Sequence, residues 1–161
     1  MGEMAGFDVM QMLMTCAVAV LAVVAAWIDA RERRFPNGLA LVLASVCAVY
    51  CLLMFGVGCL VLHAAFSAIT CGTLVGFEML WRRSHKGAPG IGIGDIKFLG
   101  GFMLAWPFAA LASFALGLLG LAVAGAALKQ KSLPLLPFVV GAAGMLLLVE
   151  RAGMQSGLSA M

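Results

Sequence analysis

Charge is what this sequence has least of. Only 11% of its 161 residues are Asp, Glu, Lys or Arg, where a soluble domain carries about 25%. Hydrophobic residues make up 64% and the mean hydropathy is +1.11, which excludes an ordinary soluble fold. A chain of this length holds about six spans of about 20 residues and little else. Residues 1–161 therefore read as a single integral-membrane domain with no separate extramembrane module. Paired-cysteine motifs are also missing. None of Cys16, Cys47, Cys51, Cys59 and Cys71 forms a Cys-x-x-Cys pair, so neither a zinc ribbon nor a dithiol redox centre is indicated. All five lie in apolar runs and read as small packing residues, with Cys47 and Cys51 on one helix face. His63 and His85 lack metal-ligand spacing, so the expectation is no metal and no cofactor. The N-terminal segment has no basic residue before Arg31, which argues against a cleaved signal peptide.

The formal charge of +3 would suit an acidic partner were it not confined to clusters. Arg31, Arg33 and Arg34 form the first, Arg82, Arg83 and Lys86 the second, Lys129 and Lys131 the third. That is the pattern of a topology signal rather than of a nucleic-acid surface. Between the clusters the apolar runs give spans at about 9–28, 38–55, 59–81, 96–106, 108–128 and 133–149. Gly56-Val57-Gly58 divides the second from the third, Pro107 the fourth from the fifth, and Pro36 with Asn37 as cap opens the second. Three basic clusters on the cytoplasmic side require two crossings between each pair. The predicted fold is thus all-α, a polytopic helix bundle with about six transmembrane helices and both termini outside.

The chain has three aspartates. Asp8 falls outside, whereas Asp29 closes the first span and Asp95 opens the fourth, both at the cytoplasmic edge. Two carboxylates brought together share a proton, one serving as base on a water and the other as acid. That is the chemistry of aspartic proteases. Asp95 follows Gly92-Ile93-Gly94, whose alternating glycines permit close backbone approach. From the residues alone, solvated interfacial aspartates remain the competing reading, with Glu78 as a further interfacial acid and Lys97 as a snorkelling cation. Helix dipoles predict that Asp29, at a helix C-terminus, keeps the shared proton and that Asp95, at an N-terminus, stays ionised.

Asp29-Ala-Arg-Glu-Arg-Arg-Phe-Pro-Asn37 is similar to the first-aspartate motif of the type IV prepilin leader peptidases. Gly90-Ile-Gly-Ile-Gly-Asp-Ile-Lys97 resembles their second motif, and Leu133-Pro-Leu-Leu-Pro-Phe138 the proline-containing start of a late span. The resemblance implies a GxGD membrane aspartic endopeptidase of the inner (plasma) membrane. Such enzymes cut the short basic leader from prepilin-like proteins at the cytoplasmic face. It implies Asp29 and Asp95 as the catalytic pair, and Gly92, Gly94 and Lys97 as residues beside the substrate. Larger members carry a Cys-x-x-Cys domain associated with N-methylation. This sequence lacks that motif, so it resembles the minimal tight-adherence (Flp-type) pilus and preflagellin peptidases and is expected to cleave without methylating. Trp27-Ile28 before Asp29 argues against the presenilin group, which has Tyr-Asp there. Two other functions compete: a non-catalytic membrane subunit of a pilus or secretion assembly, and a small ion-coupled transporter. The oligomeric state is open.

Overall fold

The computed structural model describes residues 2–85, 91–128 and 134–146. The third basic cluster, Lys86 of the second, and both ends of the predicted sixth span lie outside the described residues. All regular structure among the described residues is helical: α1 (Gly2–Glu32), α2 (Asn37–Ser84), α3 (Ile93–Met103), α4 (Pro107–Leu128) and α5 (Leu136–Leu146).

Composition explains why helices form. Leu, Ala, Val and Met fill the chain with residues that lose little rotamer freedom in a helix or are tolerated there, and helices are one of two ways to satisfy backbone groups in lipid. Three stretches are long and apolar enough to cross a membrane, Val9–Glu32, Asn37–Ser84 and Pro107–Ala127. Large side chains on their outer faces are exposed, among them Leu13, Leu41, Ile69 and Leu119. A helix apolar all round, with its apolar residues facing out, is what lipid requires. The chain is a helical membrane protein. α3 has 11 residues, about 16 Å at 1.5 Å per residue, roughly half the hydrocarbon core. Helix length alone therefore gives three spans, not six.

α2 is one element in name only. Gly56 has φ +82°, a backbone state that side chains resist, and there the helix reverses. Cys51 Sγ lies 3.5 Å from His63 Nδ1; twelve residues along a straight helix would span about 18 Å. The two arms cover the apolar runs predicted as the second and third spans, and the Gly56 turn falls where the glycines placed it.

α3 lies between these arms. Lys97 meets Asn37, Gly101 faces Ala44 and Trp106 packs against Tyr50 with ring centroids 4.6 Å apart and planes tilted by 41°, so α3 runs parallel to the first arm. Ile91 meets Glu78, Gly100 meets Ser67 and Leu104 meets His63, so it runs antiparallel to the second. In lipid, burial of apolar surface drives no association, and close packing with interhelical hydrogen bonds must hold the bundle. Gly100 and Gly101 supply the closeness: a Cβ on Gly100 would sit 2.9 Å from Cys71 Sγ. Ser67 Oγ supplies a hydrogen bond, donating to the Gly100 carbonyl at 2.9 Å. The aromatics Phe98 and Phe102 of α3 and Trp106 just beyond it, each four residues on, form one row that continues to Phe35 at one end and Tyr50 at the other.

α3 ends at Met103, and Pro107 opens α4 at the first helical position, where its missing N–H costs nothing. α4 packs on α5 through Gly117, where an added Cβ would lie 2.9 Å from the Val139 backbone nitrogen. The start of α5 returns to the end of α1, where Asp29 Oδ2 accepts a hydrogen bond from Leu136 N–H at 3.3 Å.

Candidate active site

The site forms where the end of α1, the beginning of α2 and the beginning of α3 meet. α1 closes with Arg33 N–H donating to the Asp29 carbonyl at 2.9 Å, after which Arg33 takes φ +52°. This turn throws the chain sideways and drives Phe35 inward, 7% exposed. Pro36, extended at φ −63° and ψ 138°, is the residue that precedes α2. Asn37 is not the cap that the sequence predicts. It is the first helical residue, and its side-chain oxygen accepts a hydrogen bond from Lys97 Nζ at 2.7 Å. A proline ahead of Asn37 already fixes the entry, which frees the amide to reach α3.

On the other side, Gly92 is the N-cap of α3 and Asp95 lies in its first turn, its N–H donating to the Gly92 carbonyl at 3.0 Å. Both predicted glycines are spaces filled by something particular. A Cβ on Gly92 would stand 2.7 Å from Asp95 Oδ2, so the carboxylate folds back over the glycine. A Cβ on Gly94 would stand 3.0 Å from Phe35 Cβ and 3.4 Å from Phe35 N, so the α1–α2 loop rests on that glycine.

The two motifs therefore meet at three points. Phe35 packs on Gly94, Asn37 takes the Lys97 amine, and the Asp29 carboxylate is near enough to Asp95 to disfavour its ionisation. Asp95 lies outside the three long apolar spans. Burial is the larger cause pushing its pKa up and the Asp29 charge the second, against a smaller opposing effect of its backbone hydrogen bond at Gly92. The surroundings of the two acids differ from the dipole expectation. Asp29 is in the last turn of α1, but its carboxylate also accepts from Leu136 N–H, the first of α5, where a negative charge is favoured.

Glu78 is the residue whose role the sequence did not disclose. It is 4% exposed, accepts from Arg82 Nε at 2.6 Å and from Ile91 N–H at 2.8 Å. One oxygen anchors the second arm of α2 and the other the segment leading into Gly92. Its spacing from Arg82, four residues on, was the only signal available, and it marks an ordinary helix ion pair.

These are the positions by which the chain can be compared with known proteins. The sequence pattern of the type IV leader peptidase family matches residues 16–149. The chain belongs to the type IV leader peptidase family. Family membership makes it a peptidase of the prepilin type in general kind, and the match extends from α1 through α5, so both aspartates lie within it. Neither the curated proteins nor the solved structures compared with the chain include a match.

Proposed function

We propose that this leader peptidase is an aspartic endopeptidase that removes the short basic leader of type IV prepilin-like proteins at the cytoplasmic membrane face, without N-methylation. The observation that carries the reading is that the two aspartate motifs pack together, Gly94 on Phe35 and Lys97 on Asn37, which puts the Asp29 charge within reach of Asp95 across 66 positions of sequence, in a chain of this family. Residues 1–161 act as one membrane domain, crossing the inner membrane six times with both termini outside, α3 completing its crossing with the residues that follow it.

In the resting pair Asp95 holds the shared proton and Asp29 is ionised, the reverse of the dipole expectation. Three features support this: the burial of Asp95, the charge beside it, and the Leu136 N–H donated to Asp29. Asp29 then takes a proton from water as the water oxygen bonds to the scissile carbonyl carbon. Asp95 gives its proton to the carbonyl oxygen. On collapse of the tetrahedral adduct one hydroxyl returns its proton to Asp95 and re-forms the carbonyl, the C–N bond breaks, and the proton on Asp29 goes to the leaving amine. Gly92 and Gly94 keep the substrate side of Asp95 open. Lys97 joins the motifs through Asn37, which makes it a positioning residue as much as a substrate contact.

Co-expression with a prepilin, read by gel shift and intact mass, tests the proposal. Leader removal is expected in the wild type, with a fall of about 10³-fold or more in Asp29→Asn and in Asp95→Asn. The double variant should be no worse than either single one. Cleavage that survives both substitutions would falsify the dyad.

A further inference from the structure

At the far end of α3 from the aspartates, the Gly56 turn brings together three side chains that the peptidase chemistry does not use. Cys51, on the first arm of α2, is fully buried; Cys59 and His63, on the second arm, are partly so. Their donor atoms all lie within 4.8 Å of one another. Sequence spacing could not reveal the group, because Cys51 and His63 are twelve residues apart and meet only after the reversal at Gly56.

The imidazole is held in a defined state. The Leu104 carbonyl can only accept, so it takes the His63 Nδ1–H, at 3.0 Å. That leaves Nε2 unprotonated, facing Cys59 Sγ at 3.4 Å. A backbone carbonyl that fixes the tautomer through the other ring nitrogen is the usual support of a metal-binding histidine. With bonds of about 2.3 Å to sulfur and about 2.0 Å to nitrogen, a tetrahedral ion separates its S and N ligands by roughly 3.5 Å. The 3.4 Å between Cys59 Sγ and Nε2 needs almost no adjustment, whereas Cys51 Sγ, 3.5 Å from Nδ1, has to turn toward Nε2 to complete the set.

We propose that Cys51, Cys59 and His63 Nε2 form a binding site for one thiophilic d¹⁰ metal ion, Zn(II), at the turn of α2. Two thiolates neutralise the 2+ charge, so the loaded site is neutral in a low-dielectric setting, whereas Cu(I) would leave a net negative charge there. Binding exchanges the two thiol protons for the ion, and both protons leave to solvent. A cleft of about 300 Å³ lined by Cys59, His63, Trp106 and Pro107 gives room for a water as the fourth ligand. The ion would staple the two arms of α2 at the point where only Gly56 turns the chain, and would fix the end of α3 through Leu104. The role is structural, about 13 Å from Asp95 along the axis of α3, the nine residues to Leu104 rising 1.5 Å each.

The test uses the full chain, purified in detergent and reduced. Titration with Co(II), a spectroscopic stand-in for Zn(II), should give one equivalent of a thiolate-to-cobalt charge-transfer band with intense tetrahedral visible bands, both removed by competing Zn(II). Cys51→Ser, Cys59→Ser and His63→Gln should each lose the signal, while Cys47→Ser and Cys71→Ser keep it. The wild type alone provides a second readout that no folding defect can confound. Zinc should protect Cys51 and Cys59 from alkylation, read by peptide mass, and a chelator should restore their reactivity. Zinc should also raise the unfolding temperature of the wild type but not of the variants, while prepilin cleavage stays insensitive to chelator below that temperature. A cobalt signal indifferent to Cys51→Ser and Cys59→Ser would overturn the proposal. So would a reduced protein that takes up no zinc, or one that binds Cu(I) alone.

Discussion

At the scale of single residues, the site depends on where one carboxyl points and whether it carries a proton. Burial and the Asp29 charge push the pKa of Asp95 above its ordinary 3.8. The folded state therefore holds a proton that the unfolded chain releases, over the interval from 3.8 up to the raised value. Within that window stability falls as pH rises, because the unfolded state binds fewer protons. Asp95→Asn should abolish that slope and be more stable than the wild type above the window, as read by thermal unfolding across pH. Infrared carbonyl-stretch titration should place the protonated-carboxyl band on Asp95. In Asp29→Asn that band should vanish at a lower pH than in the wild type, because the neighbouring charge is gone. A band lost in Asp29→Asn and unchanged in Asp95→Asn would reverse the assignment. Activity requires the proton on Asp95, so the alkaline limb of the cleavage profile should follow the same raised pKa.

Gly92 makes a sharper probe than the aspartates themselves. A methyl there meets Asp95 Oδ2 at 2.7 Å, and a carboxylate on a flexible side chain can rotate away cheaply. Gly92→Ala should thus cut kcat by about tenfold or more while leaving the unfolding temperature within a degree or two, since catalysis tolerates misplacement by 1 Å badly. Equal losses of stability and activity would show that the glycine serves the fold and not the carboxyl.

At the scale of elements, glycine does different work at different places. Gly56 reverses α2, Gly100 and Gly101 admit α3 between its arms, and Gly117 seats α4 on α5. The last is the most demanding, because the atoms it faces include the Val139 backbone, which cannot rotate out of the way. Gly117→Val should force α4 and α5 apart and destabilise the protein by about 1–3 kcal/mol. Through the Leu136 N–H it should also disturb Asp29. A lower melting temperature in detergent together with reduced cleavage is the expected result; an unchanged melting temperature would contradict the packing. The short α3 is an element that propensity alone could not have bounded. Its start is set by Gly92 and its end by Pro107, and its eleven residues are stable only because two arms of α2 enclose them.

At the scale of the whole molecule, the arrangement is a helical hairpin folded around a short helix, with α1 and α5 closing one side and α4 packed on α5. The end that holds the aspartates and the end that holds Cys51, Cys59 and His63 lie at opposite ends of α3. If the basic clusters face the cytoplasm, the Gly56 turn faces the other way. Reporter fusions or single-cysteine labelling in intact cells should find Arg33–Arg34 and Arg82–Arg83 on the cytoplasmic side and Gly58 on the opposite side. Labelling of all three from one side would remove the six-crossing topology and with it the cytoplasmic placement of the dyad.

Much of this was legible in the chain itself. Apolar runs broken by Pro36, Gly56 and Pro107 placed the helix ends at those breaks within a few residues, because breaking a helix is a local property of the backbone; the start of α1, at Gly2 and not near Val9, had no such mark. The two motifs carried the resemblance to the family, and the match over residues 16–149 bears that resemblance out. What periodicity could not decide is who meets whom. In a chain that is apolar nearly everywhere, every helix face looks alike, so packing partners are chosen by small contacts: Gly94 under Phe35, Lys97 on Asn37, Leu136 N–H on Asp29, Glu78 on Ile91. Helix dipoles placed from the sequence could not include α5 for the same reason, because the helix whose Leu136 N–H reaches Asp29 is more than a hundred residues away. The sequence by itself determined a helical membrane protein carrying two aspartate motifs. Only the tertiary structure decided that those motifs touch, and that one turn gathers two thiols and an imidazole, because both depend on distances between segments that composition does not encode.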